Sequence, residues 1–204
     1  MSERKLISLT FDDGPSPGVT DQVLEVLERH GARASFFLIG RQIVPETEHL
    51  IRRALSDGCS IENHSFTHPA MTKLTDEQIL SEVRRTTERI VAVTGGEPRF
   101  FRPPYIDVDE RMYGLIPYTF ICGHGCEDWV PAVTAQERTR RILAAAKDGA
   151  IILVHDMKDN LATAEAVEAV ITALQPQGYE FVNIRELFAA KGTAIDHGTL
   201  YSDV

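Results

Sequence analysis

Two adjacent carboxylates, Asp12 and Asp13, close an apolar run and precede the Gly14-Pro15 turn. Neighbouring side chains of a regular strand point to opposite faces, so such a pair divides its labour: one carboxylate binds a metal and the other stays free as a base. The plainer alternative has one capping the helix that begins near Pro17 and the other solvated. Further on, His64 and His68 in His64-Ser65-Phe66-Thr67-His68-Pro69 lie at i, i+4 spacing, which suits two imidazoles on one ion. They do not form a zincin helix, because Ser65 stands where that motif needs Glu and Pro69 disfavours helical geometry at His68. A base must therefore come from elsewhere. An isolated His pair in a polar turn reads as structural or solvated, but a carboxylate at another strand end changes that. Asp13, His64 and His68 then make an Asp-His-His set with open positions for water and substrate.

Three more clusters follow. Phe100-Phe101-Arg102-Pro103-Pro104-Tyr105 sets one cation after a short apolar run. Proline has no N–H, so the first free backbone donor after Arg102 is that of Tyr105, a group able to hold an oxyanion near a metal; the alternative is a rigid, non-catalytic turn. Glu127-Asp128-Trp129 offers a carboxylate to orient an imidazole and an indole to wall a pocket, and Leu153-Val154-His155-Asp156 ends an apolar run in a histidine. On its own, His155 would be an ordinary core or surface residue.

Positioning these groups requires strands whose ends meet. Strand-like runs lie at Leu6 to Phe11, Ala34 to Ile39, Cys59 to Ile61, Phe100 to Phe101, Tyr118 to Cys122, Ala150 to Val154 and Tyr179 to Ile184. Apolar residues at helical spacing lie between them, at Val19 to His30, Glu46 to Ser56, Asp76 to Val93, Ala135 to Lys147, Leu161 to Leu174 and Arg185 to Ala190. Glycines at 31, 58, 95 and 149 supply stop signals, and Thr75 with Gln78 resembles a capping box. Between Pro103 and Pro117 only a short helix near Asp109 to Leu115 fits, so one helix of the pattern is shortened. The alternation predicts an α/β fold with a parallel sheet, open or closed into a barrel, and every cluster above follows a strand's carboxyl end, where such folds gather their functional groups. One domain is expected over residues 1–191, and a weakly structured tail over 192–204, which lacks periodicity.

Taken in order, TFDDGP (10–15), HSFTHP (64–69), FRPPY (101–105), EDW (127–129) and LVH (153–155) resemble the polysaccharide deacetylases of carbohydrate esterase family 4. The resemblance runs from Leu6 to about Leu187. It implies a distorted (β/α) barrel of seven or eight parallel strands and one divalent metal, zinc or a relative such as cobalt, nickel or manganese. It further implies that Asp13, His64 and His68 are the metal ligands, that Asp12 is the general base tethered by Arg102, and that His155 is the general acid held charged by Asp128. The Tyr105 N–H would help hold the oxyanion, and Trp129 and Leu153 would line the pocket for the acetyl methyl. An adjacent cation favours a carboxylate and an adjacent anion favours an imidazolium, so this base and acid hold opposite protonation states near neutrality. Ile106 departs from the Gly common after Pro-Tyr in the family, which bears on the rim of the substrate cleft.

The implied activity is removal of acetyl groups from an N-acetylglucosamine-containing glycan or oligosaccharide. An O-acetyl esterase acting on acetylated xylan is the nearest alternative, since an alkoxide leaves more readily than an amine anion; a small-molecule amidohydrolase and a carbohydrate-binding module with a dead site are more distant ones. Composition favours a neutral or cationic partner. The formal net charge of −9 argues against nucleic acid, and no apolar run approaches the ~18 residues of a membrane span. No signal peptide opens the sequence as given, so a cytoplasmic protein, or a secreted one whose leader has been removed, is expected. Nothing in the residues sets an oligomeric state. Three cysteines exclude a disulfide framework, and Cys122-Gly123-His124-Gly125-Cys126 reads as a glycine-rich loop with one buried thiol rather than a second metal or redox site.

Overall fold

A computed structural model describes residues 4–204. Its strands and helices alternate as the sequence predicts: β1 (Lys5–Asp12), α1 (Val19–His30), β2 (Ala34–Leu38), α2 (Glu48–Ser56), β3 (Ser60–Asn63), α3 (Asp76–Thr94), β4 (Phe100–Phe101), α4 (Glu110–Leu115), β5 (Thr119–Ile121), β6 (His124–Gly125), α5 (Ala135–Ala145), β7 (Ile151–His155), α6 (Leu161–Leu174), β8 (Tyr179–Phe181), α7 (Ile184–Lys191) and β9 (Leu200–Tyr201). The strands run in the order β6-β7-β1-β2-β3-β4-β5-β9, with β8 beside β1, and every pairing between them is parallel. The sheet curls into a distorted half-barrel with helices packed outside it, which is the expected α/β architecture.

β1 shows how the residues dictate this. Ile7, Leu9 and Phe11 join Val23, Leu24 and Leu27 of α1 and Val167, Val170 and Ile171 of α6 in the main core. The alternating set, Ser8, Thr10 and Asp12, is buried as well, but Thr10 and Asp12 face Arg102 instead. The period of two thus sorts apolar side chains to the helices and polar ones to the reactive end. Helix ends obey the sequence signals too: Thr75 and Gln78 form a reciprocal capping box on α3, and Gly31 and Gly95 take left-handed C-cap conformations. Gly149 does not cap α5, which ends at Ala145, short of the expected Lys147.

The tail corrects an expectation. Residues 192–204 were expected to be weakly held, yet β9 pairs with β5, and the Tyr201 carbonyl accepts from the amides of Cys122 (2.8 Å) and Gly123 (3.3 Å). Beyond it, the Ile151 amide donates to Ser202 O, the Val204 amide donates to Gly149 O, and His124 Nε2 lies 2.7 Å from an Asp203 carboxylate oxygen. The segment therefore bridges β5 and β7 by backbone bonds, which hydrophobic periodicity does not reveal. No helix among the described residues is long and apolar enough to cross a membrane.

Candidate active site

Register brings the clusters together. Asp12 at the end of β1 stands opposite His155 at the end of β7, and Asn63 at the end of β3 stands opposite Phe101, so that His64 meets Arg102. A cleft of about 470 Å³ opens here, lined among others by Asp12, Asp13, His64, His68, Trp129 and His155. Around it the backbone turns left-handed at several residues that are not glycine: Asp13 (φ 74), Ser65 (φ 64), His68 (φ 62), Tyr105 (φ 59), Ile106 (φ 53) and Glu127 (φ 60). Such conformations are costly, and their concentration at one end of the sheet marks a place where geometry outweighs local stability.

The turn at Asp13 settles the problem of the adjacent carboxylates. Asp12 keeps the strand's alternation while Asp13 leaves it, so both reach the same cleft. Asp12 Oδ1 accepts from Arg102 Nη1 at 2.6 Å, while Arg102 Nη2 donates to Thr10 Oγ1 at 2.7 Å. Arg102 is 0% exposed, and its guanidinium lies 4.3 Å from the centre of the Phe37 ring. A buried charge without a partner is strongly unfavourable, so this cation and Asp12 require each other.

Asp13 Oδ1 sits 3.5 Å from His64 Nε2 and 3.3 Å from His68 Nε2, and the three potential ligand atoms lie within 4.8 Å of one another. The other ring nitrogen of His64 is fixed 2.6 Å from Arg102 O, which directs Nε2 at the carboxylates. Asp13 Oδ1 is buried and receives no hydrogen bond. Burial pushes its carboxyl pKa up, but contact with His64 and the neighbouring imidazole charges win, leaving it below the usual carboxylate value. His68 titrates below an ordinary imidazole, first because it is buried and then because His64 is near, despite the opposing pull of Asp13 and Asp12. At neutral pH it thus faces Asp13 as a neutral nitrogen base. A buried, unsatisfied carboxylate oxygen between imidazole nitrogens fits a divalent cation. Among the described residues no other such cluster of His, Cys, Asp and Glu occurs.

Across the cleft, Asp128 Oδ1 lies 2.8 Å from His155 Nδ1, while its Oδ2 accepts from the His155 amide (2.7 Å), Thr163 Oγ1 (2.9 Å) and Asn160 Nδ2 (3.3 Å). Burial alone would lower the His155 pKa, but the Asp128 hydrogen bond and charge, helped by Asp12 and Asp13, raise it to about 9. Trp129, 48% exposed, packs edge-on against the His155 ring with centroids 5.5 Å apart, and Leu153 lines the same wall. Tyr105 is 72% exposed and packs its ring on His68, 4.6 Å between centroids.

All the site residues expected from sequence converge here, but several supports went unseen. Thr10 anchors Arg102; Asn160 and Thr163 of the loop and helix after β7 hold Asp128, and Arg138 Nη1 donates to both of them. The only signal for Thr10 is its place two residues before Asp12, on the same strand face. Asp156, next to His155, is fully buried, accepts from Thr20 Oγ1 at 2.5 Å and has its pKa raised to about 7 by burial. In the Cys122–Cys126 loop, Cys126 is buried and Cys122 half-buried, and all three thiols of the protein are free.

Comparison with known proteins identifies the chain's relatives. The sequence profile described as polysaccharide deacetylase matches residues 1–117. The chain is 43% identical over 189 residues to a bifunctional xylanase/deacetylase of Pseudobutyrivibrio xylanivorans, covering 93% of this chain and 31% of that protein. It is 38% identical over 188 residues to a peptidoglycan-N-acetylglucosamine deacetylase of Listeria monocytogenes, covering 92% and 40%. The chain thus spans 31% to 40% of the length of these relatives. The structure of a family 4 acetyl xylan esterase from Clostridium thermocellum, in complex with a cobalt ion, superposes with a TM-score of 0.95 at 35% identity, covering 98% of this chain and 99% of that one.

Proposed function

The chain belongs to the polysaccharide deacetylase family, a family of metal-dependent hydrolases, and from that premise we propose that it removes acetyl groups from a glycan. The observation that carries this reading is the pairing within one cleft: a carboxylate tied to a guanidinium, and an imidazole tied to a buried carboxylate, flank an Asp-His-His triad. Asp13, His64 and His68 hold one divalent ion, zinc foremost, with cobalt, nickel or manganese as substitutes. When bound, such an ion polarises the acetyl carbonyl and makes a nearby water more acidic.

The chain's own groups do the rest. Asp12 accepts a proton from the attacking water as its oxygen bonds to the carbonyl carbon, with Arg102 fixing the carboxylate's direction. The Tyr105 N–H donates to the carbonyl oxygen as negative charge gathers there. His155, charged near neutrality, passes its Nε2 proton to the leaving nitrogen or oxygen as that bond breaks, releasing acetate and a free amine or hydroxyl; Asp128 on Nδ1 sets the ring's orientation. Trp129 and Leu153 enclose the methyl group.

An N-acetylglucosamine-containing glycan is the substrate on the first reading. Acetylated xylan is the second, favoured by the xylan-acting names of the two proteins at 43% and 35% identity. Acetate release by metal-loaded protein from N-acetylated chitooligosaccharides and from O-acetylated xylan, run in parallel, separates the two. Release from neither, with the metal demonstrably bound, would overturn both.

A further inference from the structure

The turn that carries the two histidines belongs to no helix or strand, so its backbone amides have no ladder to bond to. Their partners are nonetheless all accounted for. The His64 amide donates to Leu38 O at 3.1 Å, the Ser65 amide to Asn63 Oδ1 at 2.9 Å, and the His68 amide to Ser65 Oγ at 3.1 Å. The two amides at the apex, Phe66 and Thr67, both donate to a single oxygen, Glu82 Oε2, at 2.9 and 2.7 Å. Thr67 Oγ1 donates to the other, Glu82 Oε1, at 3.0 Å. Glu82 lies on α3 and lines none of the cleft.

We infer that Glu82 is a positioning residue for the metal site: by gathering the apex amides of the 64–68 turn it fixes where His68 presents its nitrogen. This rests on the reading of Asp13, His64 and His68 as metal ligands. Three observations give Glu82 that particular reach. Ser65 and His68 both hold left-handed backbone conformations that an unrestrained chain would leave. His64 is fixed separately, through the bond between its ring and Arg102 O, whereas the His68 ring has no such backbone anchor and meets only other side chains of the site, Asp13, His64 and the exposed Tyr105. Finally, Glu82 commits both carboxylate oxygens to the apex, one accepting from two amides and the other from the Thr67 hydroxyl. Losing the clamp frees the apex, and with it the ligand on the apex's far side.

The test is calorimetric titration of metal-free protein with cobalt(II), together with the visible absorption of the bound ion. Outer partners of metal ligands typically contribute about 10–100-fold to affinity, and Glu82→Ala is expected to weaken binding by that amount and to alter the cobalt spectrum. Glu82→Gln, whose carbonyl oxygen still reaches the apex amides, should recover most of the loss. Glu82→Asp keeps the charge but is one methylene shorter, and should bind more weakly than Glu82→Gln. That order decides the matter even if Glu82→Ala does not fold: Asp binding more tightly than Gln would mean that charge rather than the clamp is at work, and would overturn the inference. So would wild-type affinity in a folded Glu82→Ala. A wild-type protein that takes up no cobalt, or a His68→Ala variant that binds it unchanged, would instead bring down the ligand assignment beneath it.

Discussion

The two sides of the cleft each rest on a buried aspartate, and the partners differ in kind. Asp12, at the wall of the cleft, meets the wholly buried Arg102, and a guanidinium does not give up its proton in proteins. Asp128 meets His155, which is 14% exposed through its side chain and can gain or lose its proton in the working range. One pair is a fixed dipole and the other a switch. The difference suits a base that must stay ionised and an acid that must give its proton away, and it predicts that damage to the two sides will look different.

The largest effect is expected from Asp12→Asn, which should lower acetate release by about 10²–10⁴-fold while leaving metal content, read by elemental analysis, unchanged. Metal loss in this variant would mean that Asp12 is a ligand rather than a base. Next comes Arg102→Met, which strands Asp12 as a buried charge; breaking such a pair costs about 3–5 kcal/mol, visible as a lowered urea midpoint. On the other side, Asp128→Asn removes what holds the His155 pKa near 9, leaving burial to push it down. Because the acid must be protonated to act, the alkaline limb of the pH–rate profile should move to lower pH in this variant. Stability carries the same signature: with a folded pKa raised from 6.5 to about 9, the pair's contribution is fully present below pH 6.5 and is lost as pH rises through 9. A wild-type urea midpoint that stays flat across that interval would show the switch to be absent. The smallest change is expected from Thr10→Val, which deletes one of the Arg102 hydrogen bonds and should cost about 1–3 kcal/mol, toward the lower end while the Asp12 bond remains.

The same contrast separates what the sequence reveals from what it hides. The five clusters and the alternation of strands and helices were legible because residue types and periods of two and 3.6 are local properties. Asp13 was read as a ligand, but not how it reaches the cleft beside Asp12, since a left-handed residue at the end of a strand leaves no mark in residue type when it is not glycine. The supports of Asp128 were hidden for another reason: Asn160, Thr163 and Arg138 are polar residues of ordinary spacing whose meeting depends on how α5 packs on α6. Two-residue strands such as β6 and β9 exist only because a neighbour offers carbonyls and amides at the right distance. No window of sequence contains that neighbour.

The docked tail has a consequence for the protein's behaviour among other chains. Without the tail, β5 and the start of β7, which β6 does not reach, would leave unpaired amides and carbonyls, which invite strands from other molecules and so lead to aggregation. By laying residues 200–204 across that gap, the chain occupies those positions itself and shields its own strand edges from other molecules, while Leu200, Tyr201 and Val204 pin the segment against the apolar core.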